Sequence, residues 1–226
     1  MKNKKTIAAF FDFNNTLYNG VVAIDFIFYL VRSGNLRELH LRDILTGPKL
    51  LYYYTLDKLN FGERYSINRK IYKNVRGWDS RWVESISGKF FERSGSGKLF
   101  NDTIKILNLH KKENHKVIIV TSALKEIINP VKKWTGVDDI IATEINSKNG
   151  IYTGKIKKLP VGKNRATLIR KYCNHNNINI VKSFAYSDHH SDIPLLESVG
   201  NPVAVNPDRM LIARAVERGW KIMYSN

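Results

Sequence analysis

The sequence predicts an α/β fold, a doubly wound parallel sheet with a helical segment inserted after the first strand. Two observations carry that prediction. Residues 7–11, 117–120, 140–142 and 184–186, with 202–205 as a fifth run, are apolar without a polar alternate face. Strands covered on both sides of a parallel sheet read this way. Residues 103–112, 124–134, 163–175 and 193–198 carry apolar side chains three and four positions apart, the helical period. Strand and helix therefore alternate through the second half of the chain, the order of a layered α/β core.

Residues 21–97 have another character. They are rich in aromatic, leucine and isoleucine residues, show no strand pattern, and are punctuated at Ser33-Gly34, Thr46-Gly47-Pro48 and Ser94-Gly95-Ser96-Gly97. This predicts a core of residues 1–20 and 98–226 and a helical cap of residues 21–97, with the Ser94 to Gly97 stretch as hinge.

At 226 residues, 43% hydrophobic and 25% charged, the chain has an ordinary globular composition, which excludes disordered and collagen-like classes. Its single cysteine, Cys173, cannot form an internal disulfide, and no Cys/His spacing suits zinc. A reducing, cytoplasmic setting is expected, with Cys173 a buried apolar side chain. The basic start and apolar run 7–11 suggest the opening of a signal peptide, but the run is too short and leads into Asp12.

A formal net charge of +17 predicts a surface that attracts anions. Small phosphorylated substrates, anionic lipid and nucleic acid all qualify. The lysines are dispersed rather than interleaved with aromatics, so nucleic acid is the less favoured partner.

Four segments carry chemistry. Phe10-Phe11-Asp12-Phe13-Asn14-Asn15-Thr16-Leu17 is an apolar strand ending in a carboxylate, where ligands bind in parallel sheets. Val117-Ile118-Ile119-Val120-Thr121-Ser122-Ala123 ends a strand in hydroxyls ahead of an expected helix N-terminus, a place suited to an anion. Gly162-Lys163 opens a helix with a cation. Tyr186-Ser187-Asp188-His189-His190-Ser191-Asp192-Ile193-Pro194-Leu195-Leu196-Glu197 sets two aspartates four apart after a short strand.

Together and in this order, these segments resemble the motifs of the haloacid dehalogenase superfamily, in its phosphoserine phosphatase-like branch. The resemblance covers residues 7–30 and 98–208 and implies a Rossmann-like core under a helical cap. It implies Asp12 as nucleophile, with Asp12, Asp188 and the Asn14 main-chain carbonyl holding Mg2+. It also implies Thr121, Ser122, Lys163 and Ser191 at the substrate phosphate, with Lys163 catalytic and Asp192 behind the metal site. His189 and His190 are expected in exposed or structural roles.

The chain departs from the family pattern at Asn14, where an aspartate normally protonates the leaving oxygen and activates water. An amide does neither. The resemblance therefore implies a Mg2+-dependent phosphatase acting through an aspartyl-phosphate and slowed or trapped by Asn14. Position 21, nine after the nucleophile, holds Val21 where phosphoserine phosphatases carry an acid, which disfavours phosphoserine. Two alternatives stand beside this reading. One is a catalytically silent module binding phosphate, nucleic acid or protein; the other is an enzyme peripheral to the membrane acting on lipid or prenyl phosphates.

Overall fold

The absence of a polar alternate in the strand runs has a direct cause, since both faces of the sheet are covered. In β1 (Ala8–Phe11) every residue is buried. Ala8 and Phe10 join one apolar cluster, and Ala9 and Phe11 join the other. β2 (Lys116–Leu124) divides the same way, with Ile118 and Val120 on one face and Val117 and Ile119 on the other. Successive strand side chains point to opposite faces, so a strand under two layers must be apolar at every position.

The computed structural model describes residues 5–34, 52, 55 and 64–226. The expected turn at Thr46-Gly47-Pro48 and the aromatic residues Tyr53 and Tyr54 lie outside the described residues. After β1 come α1 (Val22–Arg32), α2 (Arg64–Lys73), α3 (Ser80–Phe90) and α4 (Asn101–Lys112). Beyond β2 lie the short α5 (Lys125–Ile128) and α6 (Lys132–Thr135), then β3 (Asp139–Lys148) and β4 (Ile151–Lys158). α7 (Gly162–His175), β5 (Phe184–Ser187), α8 (Ile193–Leu196), β6 (Asn201–Val205), α9 (Arg209–Arg218) and β7 (Lys221–Met223) follow. Among the described residues the sheet has seven strands in the order β4-β3-β2-β1-β5-β6-β7. All neighbours are parallel except the β3–β4 pair. This is the mixed α/β, Rossmann-like sheet expected from the sequence, with β1 at its centre.

Four details differ from the expectation. The helix expected over 124–134 is broken into α5, a 3-10 turn at Asn129–Val131 and α6. Pro130 lacks an N–H and disfavours helix in the residue before it. The run at 140–142 lies near the start of a ten-residue strand that folds back as β4. The turn between them places Asn149 and Gly150 at φ of 54° and 84°, as a tight hairpin requires. β7 was not foreseen.

The fourth difference concerns the hinge. The chain through Ser94 to Gly97 is helical, a π turn at Phe91–Gly95 running into a 3-10 turn at Ser96–Lys98. A Cβ at Gly95 would lie 2.8 Å from the Phe91 ring, so this glycine serves packing rather than bending. Where the inserted segment meets the core, the two crossing strands of chain are tied to each other. Asn19 N–H donates to Lys98 O at 2.7 Å. The Asp25 carboxylate accepts from the Tyr18 hydroxyl at 2.8 Å and pairs with Lys98 at 2.9 Å.

Below the sheet centre, away from the strand C-termini, His110 is buried with Nε2 2.8 Å from the Tyr186 hydroxyl and Nδ1 2.9 Å from His115 Nδ1. Burial, with His115 adding to it, pushes its pKa down to about 4. Between about pH 6.5 and that value the unfolded chain takes up a proton that the folded chain refuses. Stability is therefore lost as pH falls through this window, by up to about 3 kcal/mol for such a shift. Urea unfolding at pH 7.5 and pH 5 should show a steeper loss for the wild type than for His110→Gln. Equal losses in the two proteins would refute this assignment.

Candidate active site

The end of β1 delivers Asp12 to the C-terminal edge of the sheet, next to the ends of β2 and β5. Asp12 N–H donates to Tyr186 O at 2.9 Å, which continues the β1–β5 pairing one residue past the strand. Its carboxylate is buried, and Oδ1 lies 3.2 Å from Arg165 Nη1. The same guanidinium nitrogen is in close contact with Asp192, and Arg165 Nε donates to Pro160 O at 3.1 Å. Asp192 Oδ2 accepts a second hydrogen bond from the Ser187 hydroxyl at 2.6 Å.

Arg165 corrects the sequence reading. Lys163 was expected to bring the cation, but Lys163 is exposed, whereas Arg165 is 2% exposed and lies between the two aspartates. Residues two apart on a helix lie on nearly opposite sides, so only one of them can face the sheet. Burial works against the charge on Arg165, but Asp192, Asp12 and Asp188 outweigh it and hold the guanidinium firmly protonated.

A tight turn follows Asp12. The Phe13 carbonyl accepts from the Leu17 and Tyr18 amides at 2.9 Å each, and Asn15 adopts φ of 53°. Asparagine is among the few side chains that tolerate this left-handed region. The turn points Asn15 Nδ2 at Asp188 Oδ2, 3.2 Å away, so it positions the carboxylate that follows β5. Asn14 is held too, its Oδ1 accepting from Val22 N–H at 3.0 Å. Asn14 lines the cleft, and the bond from Val22 engages only the oxygen of its amide.

Thr121 and Ser122 lie within β2 itself, which continues to Leu124. The helix N-terminus expected at this point begins only at Lys125 and belongs to a four-residue helix. Thr121 Oγ1 accepts from Ala123 N–H at 3.2 Å, leaving its own hydroxyl hydrogen to donate elsewhere. Ser122 faces the cleft, with its carbonyl taken by the Tyr72 hydroxyl and by Thr143 Oγ1. Ser191 Oγ is 3.0 Å from His189 Nδ1.

His190 Nδ1 lies 2.7 Å from Asp208 Oδ2, and Asp208 Oδ1 caps α9 through Leu211 N–H at 2.8 Å. His189, His190 and Asp208 bring potential ligand atoms within 4.8 Å of one another. Because Asp208 also accepts from His190 N–H at 3.0 Å, its bonds hold the loop after β5 to α9.

Asp12, Asn14, Asp188 and Asp192, together with the end of β2, are thus assembled at one strand edge in the order the motifs gave. A model of the haloacid dehalogenase-like hydrolases matches residues 9–197. The chain belongs to this family. A probable phosphatase of Mycobacterium tuberculosis is 26% identical over 96% of this chain and 74% of its own length. The solved structure of a Bordetella pertussis protein of unknown function has a TM-score of 0.83 at 20% identity, over 97% of this chain and 99% of that one. A phosphoserine phosphatase solved as a phospho-aspartyl intermediate analogue has a TM-score of 0.67 at 16% identity, over 97% and 93%. The family member described here is accordingly a hydrolase of the phosphoric ester class, phosphoserine phosphatase-like in fold.

Removing the Arg165 charge would leave Asp12 and Asp192 buried without their partner. Arg165→Met should cost about 3–5 kcal/mol in unfolding free energy, whereas Lys163→Met should stay within about 0.5 kcal/mol of wild type. Similar costs for the two substitutions, read by urea denaturation at pH 7.5, would show the charge pairing to be misassigned.

Proposed function

We propose that this hydrolase cleaves phosphomonoesters through an aspartyl-phosphate on Asp12, with Mg2+ as cofactor. The reading is carried by one observation, the pairing of Asp12 and Asp192 with the buried Arg165 guanidinium while Asp188 stands beside them on the same strand edge, held by Asn15. Three carboxylates against one guanidinium leave an excess of negative charge at a site meant for an anionic substrate. A divalent cation removes that excess, and the oxygen donors available are the hard ones that Mg2+ takes. Asp12, Asp188 and the Asn14 main-chain carbonyl would hold the ion. Bound there, it would neutralise charge on the phosphoryl oxygens.

The chain's own residues perform the rest. An Asp12 carboxylate oxygen attacks phosphorus, the bond from phosphorus to the ester oxygen breaks, and the departing oxygen takes a proton from solvent. Water then attacks the same phosphorus, the Asp12 carboxylate is released, and inorganic phosphate leaves. Arg165, rather than Lys163, holds Asp12 in its attacking position from behind, with Asp192 fixing Arg165. The Thr121 hydroxyl and the Ser122 and Ser191 side chains offer donors to the phosphoryl oxygens, a contribution of electrostatic kind.

Asn14 decides which substrates turn over well. Its Nδ2 can donate a hydrogen bond to the leaving oxygen but cannot transfer a proton to it. Esters of acidic alcohols, whose oxygen departs as an anion, lose little by this; esters of ordinary alcohols lose the whole of general acid catalysis.

Asn14→Asp should therefore raise the turnover of an alkyl phosphate by about 10²–10⁴-fold and that of p-nitrophenyl phosphate far less. Asp12→Asn and chelation of Mg2+ should each abolish phosphate release from both. An equal gain for the two substrates would exclude the general-acid account of position 14. Release that survives Asp12→Asn would exclude the nucleophile.

A further inference from the structure

From the phosphate end of the site a single cavity of about 730 Å³ runs under the inserted helices. Asn14, Ser122 and Asp188 form its floor, so it reaches the motif residues that surround the buried Asp12, which is itself not part of the lining. Its size falls within the range of small-molecule sites, roughly 300–1,000 Å³. The chemistry of its two ends differs sharply. Among the described lining residues the ionisable side chains other than the Tyr72 phenol, Asp188, His189 and Asp208, are all on the core loops that follow β5 and β6.

Away from that floor the described wall is mostly apolar, built from Val21, Ile24, Ile71, Val75, Leu124 and Ile127 with aromatic residues between them, and the neutral amides of Asn19 and Asn68 are its polar members. α1 and α2 provide it from above, and the end of β2 with α5 from the side. Among the described lining residues there is no lysine, arginine or glutamate. The Tyr72 hydroxyl is already spent on the Ser122 carbonyl, and burial drives its pKa far above the usual phenol range, so it stays neutral. A substrate carrying an ammonium or carboxylate beyond its phosphate would have to shed water from that charge with no side chain of opposite charge among the described wall residues to replace it.

We propose that the organic part of the substrate is an uncharged hydrocarbon group, seated in this cavity with its phosphate on the floor. The inference rests on the phosphatase reading and names its substrate class. Alkyl chains and isoprenoid chains share the required chemistry. Apolar contact is worth more with each methylene covered, so specificity should be graded by chain length rather than set by a single hydrogen bond.

The test uses the full chain with Mg2+ and phenyl phosphates carrying a para hydrogen, butyl, octyl, aminomethyl or carboxyl group. An aryl oxygen leaves without a proton, so Asn14 does not limit the series. The ratio kcat/KM should rise more than tenfold from hydrogen to octyl and fall below the parent for both charged groups. A flat series, or one led by a charged member, overturns the proposal.

Octyl-, farnesyl- and methylphosphonate, titrated calorimetrically, read the cavity without turnover. Binding of either long phosphonate at least tenfold tighter than methylphosphonate supports the inference even if no ester is hydrolysed. In that case only the phosphatase reading fails. Which long phosphonate binds better separates alkyl from isoprenoid sources, and no difference from methylphosphonate overturns the proposal. Ile24→Trp and Ile71→Trp, on separate helices, should each cut the octyl-to-hydrogen ratio of kcat/KM at least fivefold; a ratio unchanged in a folded variant of either kind counts against the cavity as the tail site.

Discussion

The buried guanidinium of Arg165 is the constraint on which the site depends. A charge at 2% exposure survives only where it is paired and hydrogen-bonded. Here that requirement draws together the end of β1 through Asp12, the loop after β5 through Asp192, and the segment before α7 through the Pro160 carbonyl. Ser187, the last residue of β5, completes the shell by donating to Asp192. The arrangement fixes the Asp12 carboxylate and leaves the neighbourhood too negative to be neutralised by Arg165 alone. The structural pairing and the proposed Mg2+ site therefore answer to one piece of electrostatics.

A second set of ties works through asparagine. Asn15 and Asn206, at φ of 53° and 45°, each follow closely on a strand end and each turn the chain where most side chains would be strained. Asn15 donates to Asp188, its carbonyl accepts from Asn206 Nδ2 at 2.9 Å, and Asn206 Oδ1 accepts from Ser225 N–H at 2.8 Å. The loops after β1, β5, β6 and β7 are thereby linked through short polar side chains. Each residue supplies both the permitted backbone and the hydrogen bond, which is why the site needs no bulky framework at its rim.

The legibility of these features in the sequence follows from the same physics. β1, β2, β5 and β6 were readable because strands covered on both faces are apolar throughout. β4 was not, because an edge strand with one face in solvent alternates, and Lys155, Lys157 and Lys158 merged with the dispersed basic surface. Asn149-Gly150 was the available signal for that hairpin. The motif positions led to Lys163 because a helix-opening lysine follows Gly162, yet the buried face of α7 is Arg165, Ala166, Ile169 and Cys173. Extending that apolar stripe back toward the helix start reaches Arg165, and a charged residue on a buried stripe is the stronger sign of a paired cation. The supposed hinge failed for a packing reason, since glycine at position 95 makes room for Phe91.

Asn14 shows how a site can keep its shape and change its chemistry. The Val22 amide at the start of α1 needs an acceptor, and the Asn14 side-chain oxygen provides one as a carboxylate would. Substitution of one for the other at this position therefore leaves the helix start satisfied and the turn undisturbed. What changes is confined to the second side-chain atom, which becomes a fixed donor in place of a group that can give and take a proton. Because α1 also forms one wall of the cavity, the hydrogen bond that orients Asn14 is made at the start of the helix that carries Ile24. Under the proposed function, selection at this site therefore acts on two independent properties of the substrate, how readily its oxygen departs and how well its carbon skeleton excludes water from the cavity.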